Sequence, residues 1–132
     1  MPYPPFTEAD IARLAGPGLR TFFNIAREWR LDEGGQMRVL GIEDASVLER
    51  WREGDYASVV DDTMIRLSFI LGIYMWAREL VGTHEETAEW MSRPYPDPAF
   101  LGRSPLEWIA EGKLEDLHYM RHLLMVSAIA QG

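Results

Sequence analysis

Apolar residues in this chain recur at three- and four-residue intervals almost throughout, and strand-like alternation is nearly absent. That spacing matches the turn of an α-helix and gathers apolar side chains on one face, so it predicts an all-α fold. Start and stop signals cut the pattern into pieces. Thr7 followed three residues later by Asp10 resembles a capping box leading into Ile11 and Leu14, and Gly16, Pro17 and Gly18 are expected to end that short first helix. Over residues 19–31, Phe22, Ile25, Ala26 and Trp29 share one face of a second helix. Asp32 is placed to cap a third, through Met37, Val39 and Leu40, which Gly41 ends. Gly34 and Gly35 weaken its first turn by about 1 kcal/mol each relative to alanine. Asp44 caps a fourth over Val47, Leu48 and Trp51, stopping near Gly54.

After a polar break at Asp61, Asp62 and Thr63 comes the most apolar segment, 64–81. Ile65, Phe69, Ile73, Trp76 and Leu80 form one stripe, and Met64, Leu67, Leu71 and Tyr74 cover the opposite face. A helix apolar on both sides is surrounded by others, so this one is expected to be the central pillar. Thr83 with Glu86 is a capping box for a helix through Ala88, Trp90 and Met91. A proline-punctuated loop follows, and Ser104, Pro105 and Glu107 then give serine cap, first-position proline and third-position glutamate. Gly112 ends that short helix. The last helix, 114–130, aligns Leu114, Leu117, Arg121, Leu124 and Ala128. Five tryptophans, at 29, 51, 76, 90 and 108, lie on apolar stripes, where core and interface roles are both open.

The chain has 132 residues, room for one domain rather than two independent enzymatic ones. Its 13 basic and 21 acidic side chains give a net charge of −8, divided as 7 against 12 up to Asp62 and 6 against 9 beyond it. Neither half is basic, which weighs against general nucleic-acid affinity, since lysine and arginine supply phosphate binding. The absence of cysteine excludes disulfides, thiolate zinc sites and a cysteine nucleophile, and agrees with a reducing cytoplasm. MPYPPF shows no basic segment followed by an apolar one, so no secretory leader is expected, and the longest apolar stretch, Met64 to Trp76, contains Arg66 and is too short for a bilayer.

Four groupings could carry chemistry. The helices expected between Asp32 and Gly54 have the length and glycine placement of a helix-turn-helix, whose second helix would enter a major groove. That second helix opens with Glu43 and Asp44 and carries Glu49 and Glu53 against Arg50 and Arg52, so a helical bundle that merely keeps the arrangement competes with DNA binding. His118 and His122 stand one turn apart near Glu115 and Asp116, a weak metal signal that only His84 could strengthen through folding. The acidic pairs Asp61–Asp62 and Glu85–Glu86 sit at helix starts, where the dipole accounts for them without catalysis. No phosphate loop, GxSxG or nucleophile arrangement is present, so no enzyme and no cofactor are expected.

The series GLRTFFNIAREWRL, MRVLGI, VLERWREG, DDTMIRLSFILGIY and EWMSRPYPDPAFLGRSPLEWIAEGKLEDLHYMRHLL resembles the Xre/MbcA/ParS family of bacterial type II antitoxins over residues 19–124. The resemblance implies an Xre-like helix-turn-helix region, residues 1–62, and a toxin-binding region, residues 63–132. It implies a partner with a RES domain that consumes or transfers from NAD, inhibited when the antitoxin's C-terminal helices and tail enter the NAD pocket. Operator DNA, chiefly bound by the toxin–antitoxin complex, a homodimer or hetero-oligomer, and a cytoplasmic location are further implications. Pro94, Phe100, Gly102, Arg103, Ser104, Pro105 and Leu106 match the toxin-binding signature, many of them with structural roles expected. The candidate toxin contacts are Arg103, Arg121, Met125, Ala128, Ile129, Gln131 and Gly132. For Arg121 an internal ion pair with Asp116 or Glu115 competes with partner contact, and for the last residues fraying competes with pocket entry. The candidate DNA contacts are Arg38, Ser46, Arg50 and Arg52. The acidic helix is a departure from the polar or basic recognition helix that the family implies, which favours the toxin role over autonomous operator binding.

Overall fold

A computed structural model describes residues 5–131. Its elements, in order, are α1 (Glu8–Glu28), α2 (Glu33–Leu40), α3 (Ala45–Arg52), α4 (Asp61–Val81), α5 (His84–Ser92), a 3₁₀ turn at Pro98–Phe100, α6 (Pro105–Ile109) and α7 (Leu114–Gln131). Among the described residues there is no strand, so the all-α fold expected from periodicity is what forms.

Helix α4 buries Met64, Ile65, Leu67, Phe69, Ile70, Ile73 and Ala77 around its circumference, because α1, α2, α5 and α7 all pack on it. Its most extensive partner is α7. Arg66 bonds to Gly112, the Phe69 ring lies beside His118, and Arg121 lies against Gly72, so positions on the two helices advance together and they run in the same direction. The α5–α6 segment makes the return. Residues on both sides of Asp62 contribute to one apolar core, and the boundary expected there falls inside the first turn of α4.

Two expectations are corrected. The segment Gly16–Pro17–Gly18 does not end a helix: α1 runs through it as a single 21-residue element. Pro17 is exposed, while Gly16 is buried against Tyr56 and Gly18 lies against Leu67, so the glycines admit close neighbours. The interior proline costs about 3 kcal/mol of helix propensity. Continuous burial of Ala15, Leu19, Phe22 and Ile25 on one face offsets it, at about 1.5–3 kcal/mol for each large side chain. Residues 61–63, likewise, are not a break but the opening turn of α4. Asp61 and Asp62 lie at its positive end, where Asp61 accepts from the Phe6 N–H and Asp62 pairs with Arg66 at 2.8 Å.

The other caps form as their residues dictate. Asp32 and Asp44 accept from Gly35 and Ser46, and Gly41 ends α2 with φ +76°. Thr83 with Glu86, and Ser104 with Glu107, close reciprocal boxes. The proline loop before α6 is held by a run of rings: Trp90 edge-on to Tyr95, Tyr95 stacked on Phe100 at 4.6 Å, Phe100 edge-on to Trp108 at 4.5 Å, and Trp108 tilted against Tyr119. Such pairs add about 0.5–1.5 kcal/mol each beyond the area they bury.

Candidate functional site

The last buried residue of α7 is Leu124, yet the helix continues for seven more residues to Gln131. At 1.5 Å per residue that is about 10 Å of helix beyond its last core contact. Met125 and Ala128 are half-buried, Val126 is 48% and Ile129 62% exposed, and Gln131 is exposed. Gly132 lies outside the described residues. Because Arg121, Met125 and Ile129 are spaced by four, the structure lines three of the expected partner contacts along one face.

Arg121 anchors the near end of that face. Its guanidinium carbon sits 4.9 Å from the centroid of the Phe69 ring, and its stem crosses α4 at Gly72, where an added Cβ would come 2.5 Å from Arg121 Cδ. Neither Asp116 nor Glu115 forms the alternative ion pair with it: among the described residues Arg121 has no ion pair and no hydrogen bond. The guanidinium opens into a cleft of about 350 Å³ lined by Pro5, Phe6, Asp10, Ile65, Ser68 and Phe69.

Arg103 is placed differently. Its Nε donates to the Phe100 carbonyl at 3.1 Å, one Nη pairs with Glu111, and the group lies 5.1 Å over the Trp108 ring. The loop that was expected to offer this arginine to a partner uses it to hold itself together. Ser104 is buried as the α6 cap and Phe100 is buried in the core, as their types suggested. Sequence reasoning missed Leu101, which is 80% exposed with φ +54° directly before Gly102. A left-handed leucine costs roughly 1–2 kcal/mol, and only the backbone, not the sequence pattern, reveals it. Gly72 was likewise not singled out, since nothing local marks which helical glycine a distant side chain will cross.

The expected DNA contacts do not converge. Arg38 Nε donates to the Ala110 carbonyl at 2.8 Å, and Arg52 bonds Gln36 and Glu49 and lies over the Phe23 ring. Ser46 and Arg50 are exposed on α3. Hydrogen bonds from the Ser46 backbone, then from its hydroxyl, with the Arg50 charge a smaller contribution, hold the Asp44 carboxyl below its ordinary value of 3.8. A fixed negative charge therefore stands at the start of the helix that would meet phosphate. His118 stacks with Phe69 at 5.2 Å, and among the described residues no group of three His, Asp or Glu side chains converges to hold a metal. No described helix is long and apolar enough to cross a membrane.

No protein-family model matches the chain, and no solved structure matches it. A curated protein of Sinorhizobium fredii, named uncharacterized protein y4oB, is 33% identical over 116 residues, covering 88% of this chain and 87% of its own. At that identity and coverage, the chain belongs to the same family as y4oB.

Proposed function

We propose that the protein is an antitoxin, a non-enzymatic inhibitor that binds a RES-domain toxin and blocks its NAD site with the end of α7. The observation that carries this is the stretch of α7 past Leu124, a formed helix whose Val126 and Ile129 face solvent with no core contact of their own. Exposed apolar residues on a projecting element suit a concave partner. The net charge of −8 suits a pocket built to bind the pyrophosphate of NAD, because complementary charge speeds encounter. The motif resemblance over residues 19–124 supplies the class of partner. DNA binding by the chain alone is supported less, since two of its three candidate arginines, Arg38 and Arg52, are bonded within the fold.

The test is NAD consumption by a RES-domain toxin, with the neighbouring open reading frame as the first source to clone, in the presence of full-length protein and of a variant lacking residues 127–132. Full-length protein is expected to suppress consumption and the truncation to release it. The truncation should still unfold at nearly the same urea concentration, because none of residues 127–131 is buried. Complete inhibition by the truncated chain overturns pocket blocking. No effect of the full-length chain overturns the antitoxin function.

A further inference from the structure

Three arginines share one cleft of about 580 Å³ in this chain of net charge −8: Arg27 from the last turn of α1, Arg30 just past it, and Arg52 from the end of α3. Among the described residues no carboxylate lines it. Two of the three are held by neutral partners. Arg27 Nη2 donates to Asn24 Oδ1 at 2.6 Å, and Arg52 Nη2 donates to Gln36 Oε1 at 3.0 Å. Gln36 is itself fixed, donating to the Leu31 carbonyl at 2.8 Å. These contacts orient the guanidiniums without cancelling their charge, and a guanidinium carries five N–H donors, more than are used here. The exposed Glu49 approaches Arg52 Nη1 at 3.5 Å from outside the cleft.

Arg30 is an independent observation. Helix α1 ends in a Schellman turn, with the Leu31 N–H donating to the Ala26 carbonyl at 2.8 Å and the Arg30 N–H to the Arg27 carbonyl at 3.2 Å. Arg30 occupies the left-handed position of that turn, at φ +55°, where glycine is the usual residue because a Cβ is penalised. Among the described residues its side chain has no hydrogen bond and no ion pair. Acids stand nearby, since Arg30 also borders a second cleft lined by Glu28, Glu85 and Glu89. Glu85 pairs with His84 and Glu89 with Arg93, and none of the three pairs with Arg30. The dipole at a helix C-terminus accounts for Arg27, but not for arginine in a glycine position, nor for Arg52 arriving from another helix. A strained residue whose side chain meets nothing in its own fold points to something it meets outside.

We propose that this cleft binds a compact anion of the diphosphate class, held by Arg27, Arg30 and Arg52. Guanidinium forks match phosphoryl oxygens, and a diphosphate offers acceptors to three of them at once. A long polyanion suits the surroundings less: the exposed Asp32 and Glu33 follow Leu31, and the exposed Glu49 and Glu53 flank Arg52, so further phosphates would pass carboxylates rather than cations. The site does not depend on the identity of any toxin.

The experiment is isothermal titration of the full chain with pyrophosphate and, at the same ionic strength, with a short duplex DNA. The expected result is saturable binding of pyrophosphate and weaker binding of the duplex. Arg30→Gly is the sharp variant, because glycine suits the left-handed position. It is expected to unfold at the same or a higher urea concentration while binding pyrophosphate about tenfold more weakly. Arg13→Gln removes the same charge from the other end of α1, where Arg13 pairs with Asp10, and is expected to leave binding unchanged. Equal losses in Arg30→Gly and Arg13→Gln would reduce the effect to net charge and overturn the site, as would undiminished binding by Arg30→Gly or no saturable binding by the parent chain. Tighter binding of the duplex than of pyrophosphate overturns the compact ligand.

Discussion

Helix α3 and the end of α7 both project polar and apolar side chains from the same core, but they spend their residues in opposite ways. Around α3 two of the cationic side chains are bonded across the surface of the fold: Arg38 to the Ala110 carbonyl after α6, and Arg52 to Glu49 and Gln36. What faces solvent there is acidic, with Glu43, Asp44 and Glu49 beside Arg50. At the end of α7 the apolar residues turn outward, although burial of Val126 or Ile129 would gain about 1.5–3 kcal/mol each. The two surfaces therefore differ in kind: α3 presents mostly charge, and the end of α7 presents apolar side chains that the core does not cover.

Gly112 joins the end of α2 to the approach to α7, and breaking that contact should have the largest effect. Gly112, buried and at φ +75°, places its Cα against the carbonyl of Arg38 at the end of α2, and its own carbonyl accepts from Arg66 at 2.6 Å. The same guanidinium nitrogen reaches the carbonyls of Arg38 and Val39. A methyl at 112 collides with backbone that cannot move aside and adds left-handed strain. Gly112→Ala is therefore expected to cost about 3 kcal/mol or more in urea unfolding. A loss under about 1 kcal/mol would mean that the regions are not held by this joint.

Next in size is the entry to α6, which carries the loop opposite α7. Ser104→Ala removes the acceptor for the Glu107 N–H in a buried box, at an expected cost of about 1–2 kcal/mol. Reciprocal capping predicts that Glu107→Gln, by contrast, retains most of the stability, since the amide oxygen still accepts from the Ser104 N–H. Urea midpoints of the two variants test both statements.

The contrast between caps and joints also explains what the sequence made legible. Asp32, Asp44, Thr83 and Ser104 were readable because a cap is settled within four residues, and each bonds where its type says it should. The passage of α1 through Pro17 was not, because its offset comes from neighbours such as Tyr56 and Leu67, some forty to fifty positions away. Arg103 and Arg121 look alike in sequence as arginines among apolar residues. They differ only in what folding brings near: Glu111 and the Phe100 carbonyl for one, the Phe69 ring and Gly72 for the other. The face at the end of α7 was legible as spacing, but which of its residues remain uncovered depends on how α4 packs beneath it.

Acid should weaken the α3 region through its cap. Asp44, like Asp10 on α1 and Glu86 on α5, has its carboxyl held below the ordinary value by the N–H groups it accepts. A depressed folded pKa means stabilisation that is complete above the ordinary values of 3.8 and 4.5 and is lost as pH falls through the lowered ones. Amide exchange in the first turns of α1, α3 and α5 is expected to rise as pH falls below about 4 once the intrinsic pH dependence of exchange is removed. An unchanged opening equilibrium in Asp44→Asn across that range, alongside a shifting one in the parent chain, would assign the effect to this carboxylate. Identical profiles would remove it.

The smallest stability effects should separate the two surfaces most cleanly. Ile129 and Arg50 are both exposed, and substitution at either is expected to move unfolding by no more than about 0.5 kcal/mol. If α7 is the contact surface, Ile129→Asp weakens toxin capture by more than about tenfold, because it places a charge where an apolar side chain is desolvated. Arg50→Glu, which makes α3 still more acidic, leaves capture unchanged. A biosensor titration of both variants against the toxin reads this directly. Equal losses would mean that the partner spans both surfaces, and a loss confined to Arg50→Glu would reverse the assignment. Because neither residue supports the core, the result reports recognition without a folding correction.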